Sequence, residues 1–168
     1  MRWFLRSGLR VLMYHKVTLA AGDALTVTRR QLEWQLDWLA ASGFSFVNLA
    51  QVLACASGGG DLPLRPVLVT FDDAYLDTWE IARPALAERG LTATVFVPTA
   101  FIGGVSGWDA EPRPLMDAVR LREIAAWFAE VQAEGGYRAY YKKQGAVLQG
   151  DGAAGGLGLD REFFESLL

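Results

Sequence analysis

The chain has 168 residues, 52% of them apolar, and its 16 Lys and Arg against 19 Asp and Glu give a formal net charge of −3. That length suits one domain, and the apolar share is enough for a sizeable core. The acidic balance argues against a nucleic-acid or anionic-membrane binder, which needs a basic face, and leaves a neutral sugar polymer open.

No apolar run approaches the length of a membrane span. Arg6 and Arg10 interrupt the apolar N-terminal stretch where a signal peptide would need an unbroken one. Cytoplasmic localisation is therefore the default expectation, with envelope association as the alternative. The single cysteine, Cys55, lies in the apolar run Val52 to Ala56 and reads as a small buried hydrophobe.

In chain order, Arg10 to Tyr14 predicts a first strand, and Thr18 to Val27 a loop. Thr28 followed three residues later by Gln31 matches a capping box, with Leu32, Leu36 and Leu39 at helical spacing behind it. Trp34 and Trp38, four apart, share a face of that helix and are expected to pack. Ser42-Gly43 ends the helix.

Phe44 to Val47 alternates as a second strand, and Asn48 can cap a short helix through Ala56. Pro66 to Phe71 is apolar and β-branched, as for a strand buried on both faces. A loop or helical turn leads to Ala82, Pro84 opens a helix closed by Arg89-Gly90, and Thr92 to Val97 predicts a fourth strand ended by Pro98. A longer loop precedes Asp117, which can cap a final helix with Leu121, Ile124, Ala125, Phe128 and Val131 on one face. Strand and helix alternate throughout, so the fold class is α/β with mostly parallel strands. The division read here is an α/β domain over residues 1–136 and a Gly-rich divergent tail over 137–168, ending in a helical candidate from Asp160 to Leu168.

The sharpest chemical feature is Asp72-Asp73 at the C-terminal end of the buried strand, the end where parallel α/β folds bind ligands. Adjacent residues there can take separate tasks, one holding a metal and the other acting as a base. By pattern alone, a cap for the next helical turn is an equal reading.

Thr70-Phe71-Asp72-Asp73 also resembles the first motif of the NodB-like polysaccharide deacetylase family (carbohydrate esterase family 4 type). Val11 to His15 resembles the opening strand of one branch of that family. Thr28 to Leu49 resembles its long-helix and strand segment, and Ala93 to Val97 the strand after the motif. The resemblance covers roughly residues 10 to 124. It implies a distorted (β/α) barrel and a hydrolase that removes acetyl groups from N-acetylated, sometimes O-acetylated, polysaccharide. It also implies a divalent metal, usually zinc, with Asp72 as the general base and Asp73 as a metal ligand. His15, Tyr14 and Tyr75 are carried along as pocket candidates.

The sequence departs from that pattern in three places, one being that the remaining barrel strands and the family's later motifs are not recognisable. Ala74 follows the Asp pair where the family usually has Gly. The family completes its metal site with His-x-x-x-His, whereas this chain has one histidine, His15. The acids near the motif are Asp72, Asp73, Asp77, Asp109 and Glu111, and their spacing does not single out a replacement site.

Three readings follow: an active deacetylase with an altered or externally completed site, a catalytically inactive relative that binds carbohydrate or a protein partner, and a truncated product that has lost the His segment. A barrel short of strands exposes sheet edges, so self-association is expected unless the tail covers them. Gly150 to Gly155 matches a dinucleotide fingerprint but lacks the helix and second strand such a site needs, and reads as a Gly-rich tail. A doubly wound phosphoryl-transfer domain is the competing class, and its usual acid spacing is not evident.

Overall fold

A computed structural model describes residues 8–133. The tail, with its Gly150 to Gly155 run and its C-terminal helical candidate, lies outside the described residues.

Strand β5 (Pro66–Phe71) is the axis of the fold, and every one of its residues is buried. It pairs in parallel with β1 (Arg10–Tyr14) from Val67 to Phe71. Because β1 fills one edge of β5, the other edge is shared. There β4 (Ser45–Val47) pairs with its first half, and β6 (Thr94–Val95) with Thr70 and Phe71. All of these pairings are parallel, as expected when helical crossovers join consecutive strands. Among the described residues the result is α/β, part of a (β/α) barrel.

Helix α1 (Arg29–Ala41) starts where the capping box predicts: Thr28 accepts from the Gln31 amide, and Gln31 Oε1 accepts from the Thr28 amide at 2.7 Å. It buries Leu32, Leu36 and Leu39 completely, each contributing roughly 1.5–3 kcal/mol of apolar transfer. It ends at Ser42, and Gly43 takes the left-handed conformation (φ 77°) that glycine adopts without a Cβ clash. Trp34 and Trp38 pack beside Leu39, Phe44 and Val67. The main core joins Tyr14, Val69 and Phe71 of the sheet to Leu32 and Leu36 of α1 and to Ala85 and Leu86 of α3 (Arg83–Ala87). Arg89 ties that corner to α1 through two bonds to the Asp37 carboxylate, at 2.7 and 2.8 Å.

Four local expectations are corrected. The region 18–27 is not all loop: β2 (Lys16–Thr18) pairs in parallel with β3 (Thr26–Thr28) beside the start of α1. The fourth strand shrinks to Thr94–Val95, because β5 offers β6 partners only at Thr70 and Phe71. Cys55 is half-buried, since α2 (Leu49–Ala56) lies on the surface and buries none of its residues fully. In α4 (Ala118–Ala133), Ile124 is buried but Ala125 is exposed, and Trp127 joins Phe128 against the core instead. Between β5 and α3 the chain widens into a π-type turn at Thr78–Ala82, with the Arg83 amide donating five residues back to the Thr78 carbonyl.

Candidate active site

The register of β1 against β5 sets the site. Met13 is opposite Thr70, and Tyr14 is opposite Phe71. The Asp72 amide extends the ladder one step, donating to the Tyr14 carbonyl at 2.8 Å. His15 is thus the next residue opposite Asp72. Side chains alternate along a strand, so His15 and Asp72 follow Met13 and Thr70 onto one face, while Tyr14 and Phe71 point into the core. His15 Nε2 lies 4.0 Å from Asp72 Oδ2, with both side chains partly open to solvent.

After Asp72 the backbone turns sharply. Asp73 (φ 66°) and Ala74 (φ 51°) both occupy the left-handed region, which costs a residue with a Cβ about 1–2 kcal/mol. Asp tolerates that conformation better than Ala does. The surroundings hold the turn in place: the Met116 amide donates to the Ala74 carbonyl at 2.8 Å, and the Leu76 amide to the Pro114 carbonyl at 2.9 Å.

The remaining pocket candidates fall in two different places. Tyr14 belongs to the core, where it stacks on Phe71 at 5.4 Å and its hydroxyl donates to Gln35 Oε1 at 2.7 Å. Burial pushes its phenol pKa up. Tyr75 is buried beside the site, and its hydroxyl donates to Asp109 Oδ2 at 2.6 Å and accepts from Trp108 Nε1 at 2.9 Å. Burial first, and then the bond to Asp109, pushes the Tyr75 phenol up, and the Asp73 charge adds to this.

Lys16, the residue after His15, is also buried, and it donates to Asp109 Oδ1 at 3.0 Å and to Asp23. Desolvation would lower its pKa, but the Asp23 and Asp109 bonds outweigh it and hold the ammonium charged. Desolvation would likewise raise Asp109, which bonds from Ser106, Tyr75 and Lys16 hold below the usual carboxylate range. Reading the sequence alone missed Lys16 and Trp108. The only available signal was a lysine placed between a strand and a loop, which is no different from a solvated one.

The other nearby acids serve elsewhere. Asp77 is buried with Arg113 Nη2 at 3.6 Å, and its oxygens have no hydrogen-bond partner among the described residues. Burial pushes its carboxyl up to about 6, and the Val17 backbone and Arg113 offset this without a well-formed hydrogen bond. Glu111 is exposed. Among the described residues no three His, Cys, Asp or Glu side chains converge. A catalytic zinc typically takes three protein ligands, so these residues do not fit a complete zinc site, and no chemical step is derived through a metal.

No family model matches the chain. It is 30% identical over 95 residues to YxkH of Bacillus subtilis, a protein named as a polysaccharide deacetylase, covering 56% of this chain and 33% of that protein. It is 32% identical over 82 residues to the poly-beta-1,6-N-acetyl-D-glucosamine N-deacetylase of Escherichia coli, covering 48% of this chain and 12% of the relative. The solved structure of IcaB from Ammonifex degensii superposes with a TM-score of 0.64 at 29% identity, over 71% of this chain and 49% of that one. The chain therefore spans about a third of the first relative and about half of the solved structure.

Proposed function

We propose that this chain, a relative of the polysaccharide deacetylases, engages N-acetylated sugar polymer at the C-terminal end of β5, where Asp72 is the general base of acetyl removal. The observation that carries this reading is the His15–Asp72 approach at 4.0 Å, both side chains partly open to solvent and beyond the last residue of the buried strand β5. A carboxylate so placed can take a proton from water as the water oxygen adds to the acetamide carbonyl. That proton then goes to the nitrogen as the C–N bond breaks, giving acetate and a free amino sugar. An O-acetyl group would be removed in the same way, the proton going to the sugar oxygen as the C–O bond breaks, to give acetate and a free hydroxyl. His15, partly open to solvent and 4.0 Å away without a direct hydrogen bond, is the side chain placed to orient Asp72.

By the resemblance, Asp73 is the position for a divalent metal, zinc first. The described residues lack the further ligands, so a metal there needs donors from elsewhere. The missing ligand set favours a second reading, a catalytically inactive domain that binds carbohydrate or a protein partner. Acetate release from N-acetylglucosamine oligomers, measured with several divalent metals for wild type and Asp72→Asn, separates the two. Oligomer binding without release leaves the binding reading.

Among the described residues no helix is long and apolar enough to cross a membrane. The outer edge of β1 has no strand partner among the described residues, and Val11 and Met13 are more than half exposed. This supports self-association through that edge, which sedimentation at two protein concentrations would test.

A further inference from the structure

We propose that Trp108, backed by Phe101, is a sugar-stacking platform that holds one pyranose ring of an N-acetylated polymer beside Asp72 and Asp73; this rests on the functional reading above. The platform sits on a built loop. Between Gly103 and Met116 the chain doubles back on itself: the Gly103 amide donates to the Met116 carbonyl, Leu115 to Gly104, and Ser106 to Arg113, at 2.8–3.0 Å. Ser106 Oγ, fully buried, accepts from the Arg113 amide at 2.9 Å. The returning arm is stapled to the backbone of Ala74 and Leu76, immediately after the acidic pair.

That frame holds out two large aromatic rings that are still partly in water. Trp108 is 45% exposed and Phe101 40%, and they meet edge to face at 5.1 Å and 80°. The indole is also fixed in rotation. Its N–H is committed to the Tyr75 hydroxyl, which is bonded to Asp109, which is bonded to buried Lys16. Two members of this chain adjoin the site: Lys16 follows His15, and Tyr75 lies two residues beyond Asp73.

An exposed ring held by a buried polar network is pre-ordered, so a ligand stacking on it loses little further entropy. A neutral pyranose, with an apolar C–H face and hydroxyl edges, matches such a surface. An anionic ligand would gain nothing from a ring face whose N–H donor is already used. Tyr75, bonded to Trp108 and two residues beyond Asp73, is the link between the aromatic pair and the acidic pair on which this placement of the stacked ring rests.

The test is calorimetric titration of the full chain with β-1,6-linked N-acetylglucosamine oligomer, for wild type, Trp108→Ala, Trp108→Phe and Asp72→Asn, alongside acetate release by each. Trp108→Ala is expected to weaken binding by about tenfold or more, as for a central aromatic anchor. Trp108→Phe keeps a ring while losing the bond to Tyr75, and is expected to recover most of the affinity. Asp72→Asn is expected to bind like wild type. Thermal melts establish that each variant is folded, and Phe101→Ala replaces Trp108→Ala if that variant is not. Equal affinity of wild type and folded Trp108→Ala, or no oligomer binding by wild type, overturns the platform. Acetate release that is indifferent to Asp72 while binding depends on Trp108 overturns the catalytic reading and leaves the platform standing.

Discussion

His15 Nε2 faces Asp72 Oδ2 across 4.0 Å because the two residues are the next step in the parallel register of β1 on β5. A shift of one residue in that register would move His15 to the opposite face and separate them. If His15 orients Asp72, His15→Ala lowers acetate release about tenfold, below the roughly 10²–10⁴-fold typical of removing the base itself. Its melting temperature stays near wild type, because His15 is not part of the core. His15→Gln, which keeps a donor near the carboxylate, is expected to recover part of the loss. Full activity in His15→Ala would show that the contact has no role in turnover.

Ala74 carries backbone strain that glycine would not. At φ 51° its Cβ is crowded, and the residue is buried with no outlet for that strain. Ala74→Gly should therefore stabilise the protein by about 1 kcal/mol, the relief of left-handed strain less the added entropy of glycine in the unfolded chain. Urea denaturation of the two proteins measures it. A destabilised glycine variant would mean that the packing of the Ala74 methyl outweighs the strain.

Asp77 predicts an unusual dependence of stability on pH. Burial raises its folded pKa from an ordinary value of 3.8 to about 6, against the pull of the Val17 backbone, Arg113 and Lys16 and with a smaller push from Glu80. Across that window the folded state binds the extra proton. Stability from this group is complete below the unfolded value and is lost as pH rises through about 6. Asp77→Asn mimics the protonated form, so it should be more stable than wild type by about 1–3 kcal/mol at neutral pH and nearly equal to it well below the unfolded value. An equal difference at both pH values would contradict this.

The sequence made β1, α1, β4, α2 and β5 legible because each carries a local signal. Thr28 and Gln31 cap one helix, Asn48 caps another, and the run Pro66 to Phe71 has no polar interruption before Thr70. The place of Asp72 and Asp73, as adjacent acids just beyond a buried strand, was legible for the same reason. Of the partners of the site, Tyr75 was a pocket candidate and Asp109 an acid near the motif, but Lys16, Trp108 and the network that joins the four were not legible. Tyr75, Trp108, Asp109 and Lys16 meet only because the loop folds back onto Ala74 and Leu76, and that long-range pairing leaves no periodic trace in the chain. The length of β6 was likewise set by what β5 offers it at Thr70 and Phe71, not by the apolar run from Thr92 to Val97.

The most direct measurement is acetate release from β-1,6-linked N-acetylglucosamine oligomer by the full chain and by Asp72→Asn, at matched protein and divalent-metal concentrations. The account predicts release by wild type and a loss on the order of 10²-fold or more in the variant, the share ordinarily carried by a general base. Release that is equal in the two, or absent from wild type under every metal, would contradict Asp72 as the base of an acetyl-removing site.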